Sequence, residues 1–407
     1  MACQGVTRPT RAEIDLAAIA TNVRVACELA GPATAVMAVV KADAYGHGAA
    51  AVAGAALGAG ATWLGVAVPE EAAALRAAGV QVRILVLGPI APEQVGLVVA
   101  HDLDQCVSDP AQAEALSREA ASRGRVQRIH LKVDTGMGRV GLPPRAVRPA
   151  AERIAALPAI QTVGLMTHFA DADAVDPAFT REQLARFEAV SRDLRAAGIA
   201  IPLRHAANSA ALIRHPGSRL DLVRPGIMLY GCPPCVPRRP GDPALVPALR
   251  LRTAISQLAD LAAGGSVSYG RTFVAACDMR IATLPIGYAD GLSRLLSGRG
   301  QALIRGRRSP ILGRVCMDMT MVDVTHLSDV RVGDEAVLIG RQGADEITAD
   351  EVAGLTGTIS YEVLCRIGPR VPRSYRAENS PASAEVPRAP GGPHPPNLLD
   401  NAGGPKL

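Results

Sequence analysis

A chain of 407 residues, 48% hydrophobic but only 3% aromatic, is long enough to bury the cores of two domains. Its 43 basic and 38 acidic residues leave a net charge of +5, and the densest basic cluster, Arg305-Gly306-Arg307-Arg308, has few aromatics near it, which argues against a nucleic-acid partner. No apolar run approaches the roughly 20 residues of a membrane helix, and Arg8, Arg11, Glu13 and Asp15 precede any apolar segment, unlike a secretory signal, so a cytoplasmic protein without a membrane partner is expected.

Residues 1–10 carry no periodicity and read as a loose N-terminus. Asp15 is placed as the N-cap of an amphipathic helix from Leu16 to Leu29. Short apolar runs, expected as strands, then recur at 36–40, 63–68, 84–88, 103–107, 128–133, 161–167, 202–206 and 220–223. Ala-rich helical stretches at 69–78, 110–123, 145–156 and 177–197 separate many of them. This alternation predicts an α/β fold, an N-terminal (β/α)8 TIM-like barrel over 11–232, with a doubly wound sheet as the runner-up. Pro233, Pro234, Pro237, Pro240, Pro243 and Pro247 mark a linker over 233–247. Beyond it the pattern turns to β, with strand candidates at 249–261, 279–285, 302–305, 310–314, 317–324 and 336–339 and one helix, capped by Thr348, over 349–355. A mostly β C-terminal domain is expected over 248–376, with the Arg305 cluster at a hairpin end in solvent. Residues 377–407, rich in Pro, Gly, Ala and Asn, are expected to be a disordered tail.

In a barrel the chemistry belongs at the C-terminal strand ends. Lys41 lies where the buried run Val36 to Val40 emerges, and Gly46 and Gly48 let the backbone turn after it. Partial desolvation there would lower the pKa of the amine and free a lone pair for a Schiff base; a strand-end lysine reaching into water is the alternative. Lysine usage favours chemistry. The chain has only Lys41, Lys132 and Lys406, arginine holding every other basic position, and a guanidinium cannot form an imine. His168, Asn208, Ser209 and Arg224 also follow predicted strands, so a convergent site is expected. Two motifs are set aside. Gly136-Met137-Gly138-Arg139-Val140-Gly141 matches GxGxxG, but Pro143 and Pro144 interrupt the helix that a dinucleotide fold opens there. Cys232-Pro233-Pro234-Cys235 has no second ligand pair at zinc-site distance, so no metal is expected, and eight scattered cysteines suit reduced thiols.

The octapeptide Lys41-Ala42-Asp43-Ala44-Tyr45-Gly46-His47-Gly48 closely resembles the pyridoxal-phosphate lysine motif of the alanine racemases, and the resemblance extends over roughly residues 11 to 376. It implies pyridoxal 5'-phosphate as cofactor, bound to Lys41. By that resemblance Arg224, in Arg224-Pro225-Gly226-Ile227, faces the pyridine nitrogen, and His168 links it to the catalytic tyrosine. Gly226 and Ile227 offer N–H groups to the phosphate, with Asn208, Ser209 and the hydroxyls of Tyr45 and Tyr361. Arg139 approaches the cofactor and the substrate carboxylate, and Lys132 can be carbamylated to orient it; a surface lysine paired with Asp134 is the alternative. From the β domain come Tyr269 as the second base and Met317, whose backbone N–H binds the substrate carboxylate, while Asp173, Tyr288, Arg294 and Arg314 line the approach channel. The resemblance further implies interconversion of L-alanine and D-alanine by two bases in a homodimer with shared sites, supplying D-alanine for peptidoglycan. Broader alanine/serine racemisation, a decarboxylase using the same cofactor and a cofactor-carrier protein are the alternatives.

Overall fold

The computed structural model describes residues 8–235 and 237–376. The first strand, β1 (Arg11–Asp15), does not join the barrel that follows it, contrary to the boundary expected at residue 11. It pairs antiparallel with Leu249–Ala254 and parallel with Arg373–Arg376 of the C-terminal sheet. Glu13 disguises it in the sequence, yet this carboxylate is buried because Arg250, Arg252 and Arg376 all donate to it. Asp15 then caps the helix Leu16–Ala30, accepting from the Ala18 N–H at 3.0 Å.

Eight parallel strands follow: β2 (Ala35–Val39), β3 (Trp63–Val66), β4 (Arg83–Val86), β5 (Asp104–Val107), β6 (Gln127–Lys132), β7 (Ile160–Met166), β8 (Leu203–His205) and β9 (Leu222–Val223). They pair in chain order from β2 to β8, and β9 lies beside β2. Hydrogen bonds from Asp221 N–H to Arg204 O (3.0 Å) and from Arg224 N–H to Ala207 O (2.9 Å) close the gap between β8 and β9. The doubly wound alternative is thereby excluded. Alternate residues of each strand face the helices or the lumen. Val36, Ala38, Leu64, Val66, Ile84, Ile129 and Leu131 belong to the large outer core, whereas Met37, Trp63, Leu85, Cys106, Met166 and Leu222 form a separate inner cluster. Between those inner side chains stand buried Asp104, His130 and His205, so the lumen is part polar.

The described residues between Tyr230 and Leu249 carry no helix or strand. The C-terminal sheet then runs in the order Gln257–Leu261, Met279–Leu284, Thr320–Asp323, Arg307–Leu312, Gln301–Ile304, Glu335–Gln342, Leu249–Ala254, β1, Arg373–Arg376. The single run expected over 249–261 is therefore two strands with different neighbours. Residues 8–10, expected to be loose, are tied down: Arg8 donates to both carboxylate oxygens of Asp290 (2.6 and 2.7 Å), and buried Thr10 bonds Thr253 at 2.8 Å. The Arg305-Gly306 hairpin turn has φ of 52° and 72°, the left-handed pair that a two-residue hairpin needs. Arg308, expected in solvent, instead binds Asp345 and Glu351. Thr348 caps the helix Ala349–Thr356. Among the described residues no helix is long and apolar enough to cross a membrane. The expected tail over 377–407 lies outside the described residues.

Candidate active site

Lys41 emerges at the C-terminal end of β2 and opens a turn of unusual hand. Ala42, Asp43, Ala44 and Tyr45 all have φ between 52° and 54°, a left-handed helical turn built without glycine. Such a conformation costs about 1–2 kcal/mol for each L-residue, so the surroundings must hold it. The Ala42 N–H donates to Glu71 Oε1 at 2.6 Å, the Ala49 N–H to Asp43 Oδ1 at 2.7 Å, and Arg373 Nε–H to the Gly46 carbonyl at 3.0 Å. The buried His47 Nδ1 lies 3.1 and 3.0 Å from the carbonyls of Ala44 and Tyr45. Gly48 is obligatory at φ 95°, because a Cβ there would lie 1.8 Å from the Tyr375 hydroxyl. The result is an amine whose pKa is lowered first by burial and then by Arg139, against weaker opposition from Glu71 and Cys365.

Arg224, after β9, is buried, and among the described residues no carboxylate meets its guanidinium. Nη1–H meets His205 Nδ1 at 2.9 Å; Nη2–H donates to the carbonyls of Thr167 (2.6 Å) and Ala206 (3.1 Å) and reaches His168 Nδ1 at 3.4 Å. Burial pushes its pKa down to about 10, so it stays a cation at neutral pH. His168 is pushed well below the ordinary imidazole range, by burial first and then by Arg224, Arg139, Lys132 and Lys41. Beside this cation cluster the Gly226 N–H donates to Ser209 Oγ at 2.8 Å, and a Cβ on Gly226 would lie 2.5 Å from the Tyr45 hydroxyl. Tyr361 stands 6.0 Å from Tyr45, ring to ring. Tyr45, Ser209, Gly226 and Tyr361 thus stand close together, with Ile227 opening the next turn. Asn208 sits there too, but its Oδ1 is taken as the cap of Ser209–Arg214.

Lys132 is buried in the lumen at the end of β6, which rules out the surface alternative. Nor does Asp134 wait for it: one carboxylate oxygen accepts from the N–H groups of Gly136, Met137 and Gly138 (2.9, 2.8 and 3.2 Å). The three glycines of GxGxxG all have positive φ and shape this loop, which carries Arg139. Cys232 and Cys235 are buried free thiols, pushed up by burial to about 12 and about 11, the opposite of a reactive thiolate.

A second group forms on the β domain. Ser268 Oγ donates to the Arg314 carbonyl at 2.6 Å, the Ala289 N–H to the Met317 carbonyl at 3.0 Å, and a Cβ on Gly270 would lie 3.2 Å from the Arg314 guanidinium. Tyr269, Tyr288 and Met317 protrude from it, 71%, 42% and 52% exposed. Arg294 opens the short helical turn Arg294–Leu296 of the same domain, and the Asp173 carbonyl lies 3.5 Å from Arg214 on the barrel side. Among the described residues no hydrogen bond or ring contact joins Tyr269 to Lys41, His168 or Arg224. The chain brings together the barrel-mouth residues, and leaves Tyr269 and Met317 facing outward.

Sequence reasoning missed Glu71, which anchors the turn, and the roles of His130 and His205. The signal for the latter lay in Arg128, His130 and Lys132, a period-2 polar row on a buried strand, which only a part-polar lumen accommodates.

The N-terminal domain of alanine racemase matches residues 14–234, and its C-terminal domain matches residues 248–375. The alanine racemase of Symbiobacterium thermophilum is 50% identical over 373 residues, covering 92% of this chain and 98% of the relative. That of Halothermothrix orenii is 47% identical over 371 residues, covering 91% and 98%. The crystal structure of alanine racemase from Bacillus anthracis with bound L-Ala-P superposes with a TM-score of 0.88 at 37% identity, over 92% of this chain and 97% of that one. With both domains matched in order and identity this high across nine-tenths of its length, the chain belongs to the alanine racemase family.

Proposed function

We propose that this isomerase interconverts L-alanine and D-alanine with pyridoxal 5'-phosphate, as a cytoplasmic homodimer with shared active sites that supplies D-alanine for peptidoglycan. The observation that carries this reading is the charge of the barrel mouth. Lys41, Lys132, Arg139 and Arg224 all bear on half-buried His168, while the nearby carboxylates of Glu71 and Asp134 are engaged by backbone N–H groups. Such a mouth suits a phosphate-bearing cofactor and an amino-acid carboxylate. At Gly226 the missing side chain leaves the backbone close to the Tyr45 hydroxyl and Ser209 Oγ, a grouping of hydroxyls and N–H groups that suits the phosphate.

Lys41 would hold the cofactor through Nζ. Tyr45, Asn208, Ser209, Tyr361 and the N–H groups of Gly226 and Ile227 would hold its phosphate, and Arg224 its ring nitrogen. Once bound it supplies an electron sink that acidifies the Cα–H of alanine. The cation of Arg224 disfavours a proton on that nitrogen, which keeps the sink weak and favours simple return of the proton to Cα. A carboxylate there would suit deeper electron withdrawal, so Arg224 argues against the decarboxylase. Lys41 has the depressed pKa a base needs, and would take or return the Cα proton on the D face. The partner subunit's Tyr269 serves the L face. His168 accepts from Arg224 at Nδ1, which leaves an Nε2–H to steady that tyrosine. Arg139 and the Met317 N–H bind the substrate carboxylate; a carbamate on Lys132 would add the anion that orients Arg139. Asp173, Tyr288, Arg294 and Arg314 line the approach.

Full-length protein supplied with pyridoxal phosphate should erase the optical rotation of L-alanine as D-alanine accumulates. Rotation that never decays refutes the reading. Serine assayed alongside sets the breadth of the pocket.

A further inference from the structure

The Arg224 guanidinium is the head of a hydrogen-bonded chain that crosses the barrel lumen. Nη1 lies 2.9 Å from His205 Nδ1, His205 Nε2 lies 2.8 Å from His130 Nδ1, and His130 Nε2 lies 3.1 Å from Asp104 Oδ2. His130, His205 and Asp104 are fully buried. At the far end Asp104 also accepts from Arg83 and from Arg128 Nε at 2.9 Å. Chemistry fixes the direction of every bond. A guanidinium only donates, so His205 Nδ1 must be the bare acceptor and its proton must sit on Nε2. That N–H can only be met by a bare His130 Nδ1, whose own proton is then on Nε2 and points at the carboxylate. Burial, the first cause for each, pushes both imidazoles below the ordinary range and keeps them neutral. All N–H groups therefore point one way, from a buried cation to a buried anion, and each bond polarises the next.

The neighbours have been shaped around this row. Gly164 pairs with His130 across β6 and β7, and a Cβ there would lie 2.0 Å from His130 Nδ1. Trp63 packs edge-on to His130 at 5.6 Å, and the Arg83 guanidinium lies 4.0 Å over the Trp63 ring.

We propose that Asp104, His130 and His205 are positioning residues for Arg224: by fixing the tautomer of His205, the far end of the barrel holds the guanidinium in place and in charge. Reverse the chain, and His205 would present Nδ1–H to a donor, so Arg224 would have to turn away. The catalytic weight of the chain rests on the racemase reading above; its tautomers do not.

The test is imidazole nitrogen NMR on full-length, histidine-labelled protein as isolated, together with steady-state racemisation. The wild type should show His130 and His205 both protonated at Nε2 and bare at Nδ1. His130→Leu removes the acceptor for the Nε2–H of His205, so Arg224 alone still holds that tautomer, and the His205 nitrogen signals should shift and broaden. It should also lower kcat by about ten- to hundredfold, the range found when groups supporting an active-site ligand are removed, with KM less affected. His130→Gln should restore both readouts, since one amide can accept from His205 and donate to Asp104. Asp104→Asn provides the second variant should His130→Leu not fold, and should scramble the same tautomers. A wild-type His205 protonated at Nδ1, or chain-breaking variants that leave its signals and kcat unchanged, overturns the proposal. Wild-type protein that forms no D-alanine overturns the racemase reading instead, and the nitrogen signals then decide the chain on their own.

Discussion

Lys41 is an amine in a place where an ammonium is disfavoured, and its neighbours tune how far. Burial and Arg139 push its pKa down, and Glu71 pushes back. Lys41→Ala should abolish racemisation while leaving the fold intact. It should also abolish covalent labelling on borohydride reduction, since Lys132 and Lys406 are the only other side-chain amines. A mutant that still takes the label would mean another amine carries the cofactor. Lys41→Arg should fail equally, because a guanidinium cannot condense. Glu71→Gln tests the tuning. It removes the opposing charge, so the Lys41 pKa should fall further and the alkaline-favouring limb of the pH–rate profile should move to lower pH. It also leaves the N–H of Ala42 or Ala67 without a carboxylate oxygen, at a cost of about 1–3 kcal/mol in stability. A profile that stays put would show that Glu71 holds the backbone only.

The left-handed turn 42–45 is the element on which the site depends, and buried His47 braces it from below. Both carbonyls that His47 meets are acceptors, so its proton is on Nδ1, and buried Nε2 has no partner among the described residues. Burial pushes its pKa down from 6.5 to about 4. Between those values the unfolded chain binds the proton and the native one does not, so stability is lost as pH falls. The loss is about 3 kcal/mol across the window, at 1.36 kcal/mol per unit. Thermal unfolding between pH 7 and about 4 should therefore be steeper for wild type than for His47→Gln, which keeps a donor and cannot charge. Parallel slopes would place the proton elsewhere. No sequence pattern announces such a turn, since Ala42, Asp43 and Ala44 are ordinary helix residues, and only the two glycines after them hint at it. The barrel strands, by contrast, were legible to within a residue or two, because most are covered on both faces and read as short apolar runs, although Asp104, His130 and His205 interrupt three of them. β1 and Arg373–Arg376 escaped because they read as charged, and the buried Glu13 is compensated by the distant Arg250, Arg252 and Arg376, which no local window contains.

At the scale of the whole molecule, composition and alternation delivered the barrel and the β region. What they could not deliver is where the β domain places Tyr269, which among the described residues no hydrogen bond or ring contact joins to Lys41. Lys41 lies in the barrel mouth and Tyr269 points outward, 71% exposed, beside exposed Met317 and Tyr288. A two-fold dimer that lays one copy's Tyr269 against the other's barrel mouth completes both sites at once, because an isologous interface repeats every contact. The consequence is testable by mixing. Lys41→Ala and Tyr269→Phe chains should each be severely impaired, the loss of a general base typically costing two to four decades in rate. If the chains exchange freely, half the dimers are hybrids, and each hybrid has one site with both bases and one with neither. Activity should then recover to about a quarter of the wild-type value. Tyr269→Phe alone, in deuterated water, should still exchange the α-hydrogen of D-alanine faster than that of L-alanine, because Lys41 remains on its own face. A mixture that stays inactive despite demonstrated exchange of subunits would place both bases in the same chain, and equal exchange of the two enantiomers would remove Tyr269 from the L face.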